Sequence, residues 1–219
     1  MPDLSQVEQE ILDKLEQRRP DLKPCITDLL KLHERLVKLY DNGGKLLLCG
    51  NGGSHADSIH IAGELCKSFE RKRPLTQEIV SNLEGLPWSD ELAENLETGL
   101  AAIPLGTSGA LKTAVENDSP LRDLAFAQET LALAKPGDVL VGISTSGNAP
   151  NCIMAQSTAK AVGCTTAAFT GPHGGILAIH ADIPIRTLGD STAIVQEAHI
   201  ALWHTMCLLI EAHYFPDLR

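Results

Sequence analysis

The chain has 219 residues, of which 43% are hydrophobic and only 4% aromatic, and its formal net charge is −10. This length fits one α/β domain with a helical extension. An acidic chain repels phosphate groups over most of its surface, so we expect no nucleic-acid partner, and an anionic ligand would need a local nest of backbone N–H groups or a metal. We expect no signal peptide and no membrane partner, because the sequence lacks a basic N-terminal stretch before an apolar run and lacks an apolar run near the ~18–20 residues of a membrane span.

The cysteines are scattered along the chain and form no CxxC pair, which argues against a structural zinc knuckle or a redox dithiol. They are Cys25, Cys49, Cys66, Cys152, Cys164 and Cys207. Most are expected to be buried thiols in a reducing compartment, and this predicts a cytoplasmic protein.

Two helices are predicted before the first strand. Apolar residues at helical spacing place them over about residues 7–15 and 25–40, and they make residues 1–42 an N-terminal helical extension. An apolar strand over 45–49 then runs straight into a glycine-rich loop, and a helix follows over about 55–69.

The second half of the chain alternates between strands and helices. Residues 76–99 are acidic and punctuated by Pro87 and Gly85, and we expect a helical insertion on the surface there. Strands are predicted at 102–105, 139–143, 165–169 and 183–185, and helices at 121–133, from about 149 to 162, and at 192–214. This alternation predicts a single domain over 1–219, built on a doubly wound parallel five-stranded sheet.

Two strand-to-helix loops have the composition of a phosphate site. Gly50–Ser54 has three glycines, which let the backbone approach a ligand closely at the start of a helix. Ser144–Asn148 has three hydroxyls, a glycine and an amide at a second helix start. Ligands of open α/β sheets bind at such strand ends. Ordinary helix capping explains either loop alone, and neither loop fits a Walker or GxGxxG pattern.

Two pairs of polar residues have helical spacings that suit a metal site. His60 and Glu64 are four residues apart on one helix, and Gln196 and His204 are eight apart on the last helix, so each pair shares a side. Two imidazoles, a carboxylate and an amide oxygen suit a divalent metal such as zinc. The alternative for either pair is a surface contact. Four further histidines are interpreted as structural or solvated, and Trp203 and Met206 as core residues; the histidines are His55, His180, His199 and His213.

The sequence resembles the sedoheptulose 7-phosphate isomerase (phosphoheptose isomerase) branch of the SIS-domain proteins. The matching segments, in order, are GNGGSHADSIHIAGEL at 50–65, ND at 117–118, PGDVLVGISTSGN at 136–148 and STAIVQEAHIALWH at 191–204. The resemblance implies a flavodoxin-like SIS fold, a phosphorylated sugar as substrate, and a homotetramer with sites at subunit interfaces.

The resemblance also implies residue roles. Substrate would contact Asn51, Gly52, Gly53, Ser54, Asn117, Asp118, Ser144, Thr145, Ser146 and Gln196, with the serines and Thr145 on the phosphate and Asn117 and Asp118 on the sugar. Zinc would be held by His60, Glu64, Gln196 and His204. Three features depart from the family pattern: Ala149 replaces a serine, Ile194 replaces an arginine of many members, and 76–99 is longer than usual.

The expected reaction is the conversion of sedoheptulose 7-phosphate into D-glycero-D-manno-heptose 7-phosphate. Moving a proton between adjacent carbons needs a base and an acid, and these roles are assigned to Glu64 and His204. Three alternatives stay open at this point: a non-catalytic SIS-fold regulator that associates with a replication initiator, a sugar-phosphate sensor, and an isomerase for another phosphosugar.

Overall fold

The computed structural model describes residues 4–216. Five parallel strands form one sheet in the order β2-β1-β3-β4-β5, which confirms the predicted doubly wound α/β fold. The strands are β1 (Leu46–Gly50), β2 (Ala102–Pro104), β3 (Val139–Ser144), β4 (Thr165–Thr170) and β5 (Ile183–Arg186). The predicted domain bounds 1–219 and extension 1–42 include residues 1–3 and 217–219, which lie outside the described residues.

Ten α-helices and one 3₁₀ segment accompany the strands in the described residues. They are α1 (Gln6–Arg18), the 3₁₀ segment Pro20–Cys25, α2 (Ile26–Asp41), α3 (Gly53–Cys66), α4 (Gln77–Leu83), α5 (Ser89–Asn95), α6 (Gly109–Asp118), α7 (Ala125–Leu133), α8 (Pro150–Val162), α9 (Gly175–His180) and α10 (Thr192–Tyr214). The sequence does not predict α6 or α9. The segment 76–99 contains α4 and α5, neither of which buries a residue; its extra length relative to the family stays a prediction.

Helices cover both faces of the sheet. Side chains alternate along a strand, so Leu46 and Leu48 of β1 pack beneath α1, α2, α3 and α10, while Leu47 and Cys49 pack against α7, α8 and α9. The core is almost entirely aliphatic, as the low aromatic content requires.

The last helix, α10, is the central helix of the first layer. Its length and mean hydropathy match those of a membrane span, but most of that apolar stretch is buried inside the fold. Trp203 and Met206 are fully buried, which confirms their assignment to the core.

A fully buried ion pair ties α10 to the end of α3. Glu211 Oε1 accepts a hydrogen bond from Arg73 Nε at 2.9 Å, and both side chains have no exposed surface. The carboxylate also accepts the backbone N–H groups of Phe69, Glu70 and Arg71. The Arg73 guanidinium donates to the carbonyls of Glu64 and Leu65, which are orphan acceptors at a helix end. The pair therefore fixes the C-terminal turn of α3.

We expect Glu211→Gln to lower the free energy of unfolding by about 3–5 kcal/mol, because it leaves the Arg73 charge buried without a partner. Urea denaturation measures this change. The control is Glu197→Gln, a position on the same helix that is not part of the buried pair, and it should shift the midpoint little. Equal shifts in the two variants would contradict the importance of the pair.

The structure also predicts a dependence of stability on pH. Burial lowers the pKa of His199 to about 4, and the backbone of Thr170 opposes this shift only partly. An unfolded histidine titrates near ~6.5. Between these values the unfolded chain binds a proton that the folded chain does not. The contribution of His199 to the free energy of unfolding is therefore complete above about pH 6.5 and is lost as the pH drops towards 4.

Replacing His199 by Leu should therefore make the thermal midpoint less sensitive to pH between about 7 and about 4.5. The midpoint of the wild type and of His199→Leu is compared at several pH values. The exposed His180 provides the control, since His180→Leu should keep the slope of the wild type. An unchanged slope in His199→Leu would show that the fold does not lower the pKa of His199.

Candidate active site

The two predicted ligand loops lie side by side at one edge of the sheet. Strands β1 and β3 are parallel neighbours, with Gly50 opposite Ile143. The loops that follow them lead into α3 and α8, which cover opposite faces. A crevice forms where the strand order reverses in this way, and ligands of open α/β sheets bind there.

The first loop turns through a glycine with a positive φ. Gly52 has φ +56°, and its carbonyl accepts the N–H groups of His55 and Ala56 as α3 begins. A side chain at Gly50 would lie 2.6 Å from the carbonyl oxygen of Ser54. Ser54 is buried, whereas residues 51–53 are exposed. The loop thus presents open backbone towards solvent.

The second loop packs through Gly147 against the backbone of Gly174. Gly147 has φ +67°, and a Cβ there would lie 1.9 Å from the carbonyl oxygen of Gly174. The Asn148 side chain donates to the Ser146 carbonyl at 3.1 Å and accepts the N–H of Ile176 at 3.1 Å. Ser144 is buried, Thr145 is half-buried and Ser146 is exposed. Residues 171–176 therefore act as a rigid support for this loop.

The first turns of α10 lie against the first loop and, through Gly171, beside the second loop. A Cβ at Gly53 would lie 2.7 Å from Gln196 Nε2, and one at Gly171 would lie 3.3 Å from Val195. Gly171 in turn donates its N–H to the Thr145 carbonyl at 3.0 Å. A cleft of about 220 Å³ opens between Ser146 and this helix start. The second loop therefore borders this cleft, whereas Asn51 of the first loop lines another cavity.

The predicted metal and catalytic residues lie on the facing sides of α3 and α10. His60 Nε2 is 2.9 Å from Glu64 Oε1, and the rings of His60 and His204 have centroids 5.3 Å apart. The Trp203 indole packs against both rings, and Phe69 stacks on His204. The structure thus brings three of the four predicted ligands together, with Gln196 two turns away on the same helix.

The donors of this group fit a divalent metal. Burial, followed by the nearby His60, lowers the pKa of His204, which keeps the ring neutral near pH 7, the form that binds metals. Another group of possible metal ligands is more closely spaced. The ligand atoms of Glu8, His33 and His213 all lie within 4.8 Å of one another, whereas those of His60, Glu64 and His204 do not.

Comparison with known proteins identifies the family. The SIS domain model matches residues 10–103 and 92–171. The phosphoheptose isomerase of Roseiflexus sp. (strain RS-1) is 35% identical over 208 residues, covering 95% of this chain and 93% of the relative. The chain belongs to the phosphoheptose isomerase family. The enzyme of Trichlorobacter lovleyi is 40% identical over 185 residues, covering 84% of this chain and 82% of the relative.

Solved structures of the phosphoheptose isomerase family share the fold. The phosphoheptose isomerase of Neisseria gonorrhoeae superposes with a TM-score of 0.69 at 31% identity, covering 94% of this chain and 93% of that one. That of Francisella tularensis also has a TM-score of 0.69, at 28% identity, covering 91% of this chain and 97% of that one.

The residues that the resemblance assigned to the sugar lie at the exposed end of α6. Asn117 and Asp118 are exposed at the end of α6 and hydrogen-bond to each other at 2.8 Å. They do not line the cavity of about 160 Å³ beside Asn51, where α6 contributes Lys112 and Glu116.

Sequence reasoning missed two polar residues of the crevice. Asn151 exchanges two amide hydrogen bonds with Asn51, both of 2.8 Å, and so links the first loop to α8. Lys112 lines the cavity beside Asn51 together with Glu116 and Asp123, and its ammonium lies 3.9 Å from Glu116 Oε1. Neither residue belongs to a recognisable motif, and α6 itself is not predicted. Ala149 is the N-cap of α8 and makes no side-chain cap, and Ile194 is exposed.

The support of the second loop can be tested with two glycines of similar φ. Gly147→Ala should destabilise the protein by at least about 2 kcal/mol more than Gly43→Ala. Gly43 has φ +65°, but a Cβ added there would meet nothing within 4 Å. Gly43→Ala therefore measures the cost of the backbone conformation alone, without a steric clash. Thermal midpoints with and without inorganic phosphate provide the measurement, and Gly147→Ala should also lose the stabilisation by phosphate. Equal behaviour of the two variants would refute the role of the Gly174 contact.

Proposed function

We propose that this chain is an aldose–ketose isomerase that converts sedoheptulose 7-phosphate into D-glycero-D-manno-heptose 7-phosphate. One observation carries the proposal: the start of α10 lies against Gly53 of the first loop and against Gly171, which hydrogen-bonds to Thr145 of the second, and the same helix brings His204 to His60 and Glu64. An anion site and an acid–base site therefore share one helix. Relatives named phosphoheptose isomerase, at 34–40% identity over most of their length, support the choice of substrate.

The phosphate end of the substrate would bind at the loops. Their backbone N–H groups and hydroxyls, including Ser54, Ser144, Thr145 and Ser146, are suitable donors to a phosphate monoester. Asn51, Gly52 and Gly53 would line the chain of the sugar, with Asn117 and Asp118 on its hydroxyl groups. Lys112, which lines the cavity beside Asn51 together with Glu116 and Asp123, would add a positive charge near the first loop.

The chemistry needs a proton to move between adjacent carbons and another between their oxygens. Glu64 would remove the proton from one carbon and return it to the neighbouring carbon. His204, neutral because its pKa is lowered, would accept a proton from one oxygen and donate to the other. His60, Glu64, Gln196 and His204 would hold zinc, which when bound polarises the carbonyl and stabilises negative charge on the oxygens. Phe69 and Trp203 would exclude water from the His204 ring.

Assembly and location are also part of the proposal. Several large apolar side chains are exposed on the isolated chain, among them Ile59 on α3 and Ile194 and Ile200 on α10. Apolar exposure of this kind supports burial between subunits, and we propose a homotetramer whose partners complete the sugar end of the site. The six free cysteines, five of them buried, support a reducing cytoplasmic location.

Glu64→Gln should reduce turnover of sedoheptulose 7-phosphate by about 10²–10⁴-fold, the usual contribution of a general base. Product formation followed by NMR in D₂O measures both turnover and the exchange of the carbon-bound proton. Binding of inorganic phosphate should stay near the wild-type value, because Glu64 does not touch the loops.

The exposed Glu91 on α5 provides the control, since Glu91→Gln should keep full activity. Near-native turnover in Glu64→Gln would contradict the assignment of the base. A wild-type protein that binds sedoheptulose 7-phosphate without converting it would indicate a sensor or regulator, and conversion of only another sugar phosphate would indicate a different isomerase.

A further inference from the structure

Three ionisable side chains from three helices meet in the N-terminal extension. Oε1 of Glu8 on α1 lies 3.2 Å from Nε2 of His33 on α2 and 3.5 Å from Nδ1 of His213 on α10. Zinc binds nitrogen and carboxylate oxygen at about 2.0–2.1 Å, so its tetrahedral ligands are roughly 3.3 Å apart. Both separations are therefore close to the edges of a zinc tetrahedron.

The buried atoms of this group lack well-formed hydrogen bonds, although the backbone of Leu209 approaches His33. Glu8 and His33 are each 3% exposed, and neither Glu8 Oε1 nor either ring nitrogen of His33 makes a hydrogen bond in the described part of the chain. Buried polar atoms seldom stay unpaired. A divalent cation would contact all three converging atoms at once.

Ser5 orients the carboxylate. Its N–H and hydroxyl both donate to Oε2 of Glu8, at 2.8 and 2.7 Å, in the capping box that begins α1. These bonds leave Oε1 directed at the two histidines. Carboxylates that bind metals are commonly fixed in this way by partners of their second oxygen. The His213 side chain is 39% exposed, which leaves room for a water as fourth ligand.

This group is separate from the crevice. His204 and His213 are nine residues apart on α10, or about 2.5 turns, so they project from opposite faces and lie roughly 13 Å apart along the helix axis. One ion cannot bind both groups of ligands.

We infer that Glu8, His33 and His213 form a second metal site, which binds zinc or a similar divalent transition metal and clamps α1 onto α2 and α10. Two imidazoles and a carboxylate are the donors that such metals prefer. Since each ligand comes from a different helix, the ion stabilises the packing of the N-terminal extension. This inference is independent of the proposed isomerase activity.

The test uses a chain without the proposed ligands of the crevice, His60→Ala/His204→Ala. After removal of metal by a chelator, it is titrated with Zn²⁺ by calorimetry and with Co²⁺ by visible absorption. We expect one ion per chain and a thermal midpoint higher by roughly 5–10 °C at a hundredfold excess over Kd. Amide protons of α1 should exchange more slowly with the metal bound.

Adding His213→Ala should weaken zinc binding by more than the ~10–100-fold that loss of even an outer-shell partner gives. Adding His180→Ala, an exposed histidine elsewhere, should leave it unchanged. Should the double variant fail to fold, His213→Ala in the wild-type chain should bind one zinc fewer than His180→Ala. No zinc bound in the His60→Ala/His204→Ala chain, or unchanged binding after His213→Ala, would overturn the inference and leave a proton-linked ion pair.

Discussion

The parallel pairing of β1 with β3 is the constraint on which the rest of the site depends. Because Gly50 and Ile143 are opposite each other, the loops after both strands must leave the sheet at the same edge. The crossover helices then turn to opposite faces, and a crevice remains between them. A change of register by one residue would reverse the faces of every side chain in the strand, so the aliphatic core and the position of the crevice are specified together.

A second constraint acts through α10. The helix contacts Gly53 of the first loop with Gln196, presents His204 to α3, and carries Glu211 in its last turn. Arg73, the ion-pair partner of Glu211, donates hydrogen bonds to the carbonyls of Glu64 and Leu65 near the end of α3. The backbone of Glu64 is therefore held by a buried ion pair that touches no ligand. Glu64 on α3 and His204 on α10 are therefore positioned by the packing of both helices.

Much of this arrangement could be predicted from the sequence, because it follows local rules. Strands and long helices have clear apolar patterns, and the predicted range of α10 matches the observed one. The loops are recognisable because they combine glycine and hydroxyl residues at strand ends. By contrast, α6 buries no residue and so has no apolar face to detect, and α9 has only six residues. Contacts between loops, such as Asn51 with Asn151, have no sequence signature.

The proposed second metal site could not be predicted from the sequence either. Its members come from three different helices, so no spacing rule relates them, and the sequence alone gives His213 a structural or solvated role. The group is identified by unpaired buried atoms: Glu8 and His33 are almost fully buried, and Glu8 Oε1 and both ring nitrogens of His33 lack hydrogen-bond partners. A fold seldom retains such atoms without a compensating interaction. The N-terminal extension is where that interaction matters most, because α1 packs on α2 and α10 through a few aliphatic side chains. A cation at this junction would bind the extension to the same helix that organises the crevice.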